Sequence, residues 1–197
     1  MNATQNKFLF LGKFVASPKT IGAIAPSGSV LAEQMVRLGG VETSRTVLEL
    51  GPGTGVFTAA ICRHLPSDAH LITIEANPHL ALLLRKKMPA VRTVAGSAEH
   101  LDRIMKSYRL AQADSIISGL PFATFEPALQ DRILYAVRQA LRPGSTFVTF
   151  SYLHARPLSK AKRFRDKLAQ LFADVETSPI IWKNLPPAFI YRCRKPE

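Results

Sequence analysis

The sequence predicts an α/β domain in which a mostly parallel sheet carries helices on both faces. Three observations lead there. From Thr46 onward, short β-branched runs alternate with helical patterns, the arrangement of a crossover-connected parallel sheet. The first run ends in a turn of three alternating glycines, Gly51, Gly53 and Gly55, the kind of turn that lets a backbone bend under a ligand. A chain of 197 residues with 47% hydrophobic residues suits one sizeable core and leaves little room for a second.

The elements are expected in the following order. Thr46–Leu50 forms the first strand, and a helix runs from about Val56 to His64. Leu71–Glu75 is the second strand, and Pro78 opens a helix that continues to about Lys87, since proline is tolerated in a first helical turn. Val91–Ala95 and Ser115–Ser118 are strands three and four. A helix spans Pro127 to Leu141 and is stopped by Pro143-Gly144. Thr146–Phe150 is strand five, followed by a basic helix from about Ser159 to Leu171 and by two last strands near Asp174–Ile181 and Ala188–Cys193. Right-handed crossovers place the ligand at the carboxyl ends of the strands, where strand order reverses.

Composition narrows the function classes. The formal charge is +12, from 26 Lys and Arg against 14 Asp and Glu, which calls for an anionic partner: nucleic acid or an acidic membrane surface. No acid precedes Glu33, and a second basic concentration holds Arg156, Lys160, Lys162, Arg163, Arg165 and Lys167 against Asp166 alone. A solvated helix face explains that second cluster equally well. Two cysteines, Cys62 and Cys193, are too few for a disulfide framework, and five scattered histidines make no metal-ligand spacing, so no metal is expected and a reduced, cytoplasmic setting fits. No apolar stretch approaches the ~20 residues of a membrane span, and the start of the chain lacks the pattern of a cleaved signal.

The first strand runs into Glu49-Leu50-Gly51-Pro52-Gly53-Thr54-Gly55. Dinucleotide loops usually space their glycines G-x-G-x-x-G and hold pyrophosphate on a helix N-terminus; here the spacing is tighter and an acid stands two residues ahead. Glu75 ends strand two, 24 residues past Gly51, where an acid can take both hydroxyls of a ribose. Gly96-Ser97-Ala98-Glu99 ends strand three, at the place of adenine contacts, although Ser97 as a helix cap explains it equally well.

These residues resemble the class I S-adenosylmethionine-dependent methyltransferases, from about Thr46 to Cys193. The resemblance implies a Rossmann-like, seven-stranded sheet whose last strand is antiparallel. It implies S-adenosylmethionine as cofactor and S-adenosylhomocysteine as product, with no metal. The ammonium and carboxylate of that cofactor suit a nearby acid and bare backbone. The cofactor residues would be Glu49, Gly51, Gly53, Thr54, Gly55, Glu75, Ala76, Ser97, Ala98, Glu99 and Ser118.

Ser118-Gly119-Leu120-Pro121-Phe122 ends strand four, where methyltransferases of planar amines carry Asn or Asp followed by Pro-Pro-Tyr or Leu-Pro-Phe. The Ser-Gly pair gives room instead of a planar clamp, which speaks against an adenine acceptor. Pro18–Ser27, Glu49–Gly55, Ser118–Phe122 and Trp182–Ala188 together resemble the bacterial phospholipid N-methyltransferases, in order and spacing, from about Phe8 to Tyr191. That resemblance implies methylation of phosphatidylethanolamine, up to three times, toward phosphatidylcholine, at the inner face of the cell membrane. Ser118, Gly119, Leu120, Tyr152 and His154 are the candidate catalytic residues, with Tyr152 and His154 as candidates for proton removal. Phe122, Tyr152 and Trp182 offer π faces to a cationic head, and Arg156, Lys160 and Lys162 a phosphate or membrane contact. The other readings are an RNA or DNA amine methyltransferase, a small-amine methyltransferase, and a cofactor-binding protein without turnover.

On a helical wheel Phe8, Phe10, Leu11, Phe14 and Val15 share roughly half a turn, with Lys7 near that face and Lys13 off it, as in a helix lying in a membrane interface. A helix packed on the domain's own core has the same pattern. The sequence is therefore divided into residues 1–40, interfacial and substrate-covering helices, and residues 41–197, the cofactor domain.

Overall fold

The computed structural model describes residues 25–197. It contains α1 (Ala25–Gly39), β1 (Thr46–Leu50), α2 (Val56–His64), β2 (His70–Glu75), α3 (Pro78–Lys87), β3 (Arg92–Ala95), α4 (Leu101–Ser107), β4 (Ala113–Ser118), α5 (Pro127–Ala140), β5 (Leu141–Tyr152), α6 (Ser159–Leu171), β6 (Asp174–Thr177) and β7 (Ala188–Arg194). Single 3-10 turns at 41–43, 98–100, 122–124 and 153–155 join several of them. Phe8, Leu11 and Phe14 lie outside the described residues.

The seven strands form one sheet in the order β3-β2-β1-β4-β5-β7-β6. Neighbours from β3 through β5 pair parallel, and β7 runs antiparallel to both β5 and β6. Strand order reverses between β1 and β4, so the carboxyl ends of these two strands open the crevice that a ligand enters. Leu50 is paired with Ile74 on one side and Ser118 on the other, which brings the ends of β1, β2 and β4 level.

Alternation along the central strands feeds two cores. Leu48, Leu50, Ile72, Ile116 and Phe147 pack under α4, α5 and α6, together with Leu134, Phe164 and Leu168. Val47, Leu71, Ile117 and Val148 point to the opposite face and meet Leu31, Met35, Val36, Ala60 and Ile61 of α1 and α2. Such strands, buried on both faces, read as continuous apolar runs. Gly39, at the end of α1, lies so near the sheet that a Cβ there would meet Ile117 Cδ1 at 2.4 Å. α1 is thus part of the cover of the sheet.

Several strand boundaries differ from the sequence reading, the start of β5 most of all. α5 ends at Ala140, and Leu141 already pairs with Ala113, so Pro143-Gly144 lies within β5 and not after a helix. The register between β4 and β5 shifts between Ala113 and Ser115, and that irregularity accommodates the proline, which has no N–H for a ladder. α4 was not anticipated: Leu101 and Met105 are its buried positions, and seven residues give too few turns for a readable period.

Candidate active site

The floor of the crevice is built from the end of β1. Glu49 is fully buried on the α2 face of the sheet, and its Oε2 accepts a 2.7 Å hydrogen bond from the Thr58 hydroxyl. Its other oxygen, Oε1, is buried with no hydrogen-bond partner among the described residues. Burial pushes its carboxyl up to about 8, the Thr58 hydrogen bond opposes that rise, and the neighbouring Glu75 charge adds to it. An acceptor left in this state costs free energy unless a cation arrives to meet it.

Above it, Gly51, Gly53 and Gly55 all have positive φ, at 69°, 54° and 86°. A side chain at any of them would be strained, and their N–H groups donate to the Ile74 carbonyl, Glu75 Oε2 and the Pro52 carbonyl. Glu75, the last residue of β2, holds this turn in place: its Oε2 accepts from the Gly53 N–H at 3.1 Å and its Oε1 from the Asn77 N–H at 2.9 Å. Asn77 in turn caps α3, accepting from the His79 and Leu80 N–H groups. Thr54 is exposed and its carbonyl accepts from Lys87 Nζ, while Ala76 is half-buried beside Glu75.

At the end of β3, Ser97 accepts from the Glu99 N–H at 3.3 Å and donates to its carboxylate at 3.1 Å. Both sequence readings of Ser97 meet here, because it caps the turn at 98–100 and also fixes the Glu99 side chain. Burial raises the Glu99 carboxyl, but hydrogen bonds from Arg132 and Ser97 outweigh it and hold the group below its ordinary value. Ala98 is buried in the core beneath.

The acceptor side starts at the end of β4. Ser118 is fully buried and its Oγ accepts from the Leu120 N–H at 3.2 Å, so the hydroxyl holds the turn. A Cβ on Gly119 would lie 2.7 Å from the Gly51 carbonyl oxygen and 3.5 Å from the Phe57 ring. No side-chain amide can stand at that position without moving backbone. Leu120 packs against Gly51, filling the space where a Cβ there would sit. From Phe57 a row of rings runs outward along β5. Phe57 meets Phe150 edge-on at 5.8 Å, Phe150 meets Tyr152 edge-on at 5.5 Å, and Tyr152 stacks on His154 at 5.6 Å.

Residues 47–144 match the family model for a methyltransferase domain. The N-methyltransferase NodS of Bradyrhizobium japonicum, solved with S-adenosylhomocysteine, superposes with a TM-score of 0.71 at 17% identity, over 98% of this chain and 100% of that one. At the level of sequence, 190 residues are 34% identical to the ornithine lipid N-methyltransferase of Singulisphaera acidiphila, covering 95% of each chain. The protein belongs to the class I S-adenosylmethionine-dependent methyltransferases. The small-subunit ribosomal RNA methyltransferase A of Chlorobaculum parvum is 27% identical over 117 residues, 58% of this chain but 40% of its own length.

The residues of this methyltransferase fit its cofactor. The unpartnered Glu49 Oε1 would take the ammonium of the amino-acid end, beside the side-chain-free glycine turn, and Glu75 the ribose hydroxyls. Among the described residues no three His, Cys, Asp or Glu side chains cluster as metal ligands.

The structure brings Glu49, the three glycines, Glu75, Ser118 and Gly119 to one edge, with Tyr152 and His154 at its outer rim. It places Phe122 elsewhere: the ring is 2% exposed and stacks on Phe164 at 4.9 Å, with Phe147 and Phe125 edge-on, so it is core. An aromatic after Leu-Pro points inward here because the turn at 122–124 folds it under α6. Trp182 is largely exposed on the loop between β6 and β7, and Arg156 and Lys160 are on the surface. Phe57 and Phe150 escaped the sequence reading. The available signal was Phe150 two residues before Tyr152, hence on the same face of β5.

Proposed function

We propose that this methyltransferase N-methylates the primary amine of a membrane lipid, with phosphatidylethanolamine, converted toward phosphatidylcholine, or an ornithine-containing lipid as the headgroup. One observation carries the reading: the position that holds an amide or acid in adenine methyltransferases is Gly119, and backbone 2.7 Å away leaves no space for a side chain. The acceptor is therefore held by shape and rings, and not by a planar hydrogen-bonding clamp. The similarity to an ornithine lipid enzyme over 95% of both chains supports the lipid class.

The bound sulfonium supplies an activated methyl group. The chain's own work is to align and to desolvate. An alkyl ammonium with a pKa of about 10 must lose a proton before it can attack, and a half-buried row of rings disfavours the charged form. Phe57, Phe150 and Tyr152 also offer π faces to the cation that accumulates as methyls are added. Burial raises the Tyr152 hydroxyl above its ordinary range, which favours His154 over Tyr152 as the proton acceptor.

The test is product analysis after incubation with labelled S-adenosylmethionine and vesicles of phosphatidylethanolamine or of ornithine lipid, with ribosomal RNA in parallel. Label in either lipid supports the reading and names the headgroup. Label confined to RNA overturns it.

A further inference from the structure

Two segments at the outer rim of the site carry apolar side chains outward. Trp182 is 69% exposed, Leu185 72% and Leu158 53%, among the largest exposures of bulky apolar residues in the described chain. Trp182 and Leu185 stand on the loop between β6 and β7, and Leu158 on the approach to α6. The two segments are joined, because the Leu153 N–H donates to the Pro187 carbonyl at 2.8 Å.

The loop is a built feature. Ile181 bridges Ala188, and the Asn184 N–H donates to the Ile181 carbonyl at 3.1 Å. Asn184 is 5% exposed, and its Nδ2 donates to the Pro186 carbonyl at 2.6 Å. A buried polar residue thus fixes the loop while its neighbours Trp182, Lys183 and Leu185 are left exposed. Its place is also defined. Thr149 pairs with Ser118 and Tyr152 with Ala188, so the loop starts three residues, ~10 Å, beyond the acceptor position along β5.

Charge selects the occupant. No Asp or Glu occurs from Ser151 to Arg165 or from Ser178 to Lys195. Arg156, Lys160, Lys162, Arg163 and Lys183 are exposed, and among the described residues none has a carboxylate within ion-pair distance. An aromatic and two leucines near cations that have no carboxylate partner suit the interface of an anionic bilayer, where rings sit at headgroup depth and cations meet phosphate. A soluble acidic partner would use the cations and leave Trp182 and Leu185 in water.

We infer that the 181–188 loop, with Leu158 and the basic start of α6, is an interfacial docking surface that seats the mouth of the site on an anionic lipid bilayer. The inference rests on the lipid reading above. It makes the rim self-orienting, since a docked loop holds the carboxyl edge of the sheet against the membrane from which the acceptor amine comes.

Trp182 is the chain's single tryptophan, so its emission reports the loop directly. The full chain is titrated with vesicles of phosphatidylcholine alone, and with a third of that lipid replaced by phosphatidylglycerol. The expected result is a blue shift and protection from acrylamide with the anionic vesicles, quenching by brominated acyl chains, and loss of the effect at high salt. Leu185→Asp should weaken vesicle partition about tenfold, with cofactor affinity by calorimetry as the check that the fold is intact. Emission and quenching that stay constant while the protein sediments with vesicles would overturn the inference, as would a response to RNA but not to vesicles. Methylated lipid without a Trp182 response removes the docking surface and keeps the function. A Trp182 response without methylated lipid keeps the docking surface and removes the function.

Discussion

Gly119 and Gly51 face each other across the end of β1 and β4 so closely that one added carbon on Gly119 would stand 2.7 Å from the Gly51 carbonyl oxygen. The contact is backbone to backbone, so no flexible side chain can yield. It couples the acceptor turn to the cofactor turn, and a change in one is felt in the other.

Gly119→Ala is accordingly expected to harm both. Overpacking of this kind destabilises by ~1–3 kcal/mol, or roughly 2–4 °C in Tm per kcal/mol for a domain of this size. Calorimetry should show cofactor affinity reduced by about tenfold or more, since ~1.4 kcal/mol of misplacement is tenfold. An alanine variant with unaltered Tm and affinity would mean that the two turns move apart freely.

Glu49 predicts a pH dependence of cofactor binding. Its carboxyl titrates at about 8 in the empty site, and an ammonium beside Oε1 would draw it down. Binding below pH 8 must then expel a proton. Affinity should rise with pH from about 6 toward 8, by at most ~tenfold per unit. Calorimetry in buffers of different ionisation enthalpy should show proton release at pH 6 to 7 that shrinks as pH approaches 8. Glu49→Gln should lose both the slope and much of the affinity.

The same carboxyl predicts how stability of the cofactor-free protein varies with pH. Its folded pKa, about 8, lies above the ordinary 4.5, so the folded state keeps a proton that the unfolded state has lost between those values. That contribution is whole below the unfolded pKa and is lost as pH rises through 8. Each unit of separation is ~1.4 kcal/mol, or about 3–5 °C. The difference in Tm between Glu49→Gln and the parent should therefore grow in favour of the variant from pH 5 to pH 9. Parallel curves for the two proteins would place Glu49 in water.

Glu75→Ala removes the acceptor for two backbone N–H groups and leaves them unpaired. An unsatisfied group costs ~1–3 kcal/mol, so a lower Tm and cofactor affinity reduced by about 10- to 100-fold are expected together. Glu75→Gln retains part of both. Unchanged calorimetric affinity in the alanine variant would remove Glu75 from the ribose.

Tyr152→Phe separates ring from hydroxyl. A general base contributes ~10²–10⁴ in rate, and a hydroxyl whose proton is held more tightly by burial is poorly placed for that task. The variant should keep kcat within about threefold, while Tyr152→Ala, which also removes the edge-on contact with Phe150 and the stacking on His154, should lose far more. A fall in kcat of the phenylalanine variant to the level of the alanine variant would return the proton to Tyr152.

Much of this is legible in the sequence, for identifiable reasons. Central strands such as Thr46–Leu50 are short, β-branched and buried on both faces, and their glycine turn has its own spacing, so both were visible locally. Pro143-Gly144 misled because the same dipeptide that stops a helix also fits a strand at a register shift. Phe122 misled because the inward or outward direction of a ring after a turn is set by α6, 40 residues further on, and not by its neighbours in sequence. Phe57 and Phe150 were missed because their meeting depends on the packing of α2 across β5, a contact between distant parts of the chain.

The position of β7 has a consequence for how the chain comes to its shape during synthesis. β7 lies between β5 and β6 and pairs with both, and among the described residues β6 has no other neighbour in the sheet. As the ribosome extends the chain, β6 emerges with no edge to join, although α6 already has Phe122 and α5 to pack on. The last quarter of the fold can close only when Ala188–Arg194 threads between two strands made before it. Pairings of such long sequence separation form slowly, and until then two open strand edges are available to the wrong partner.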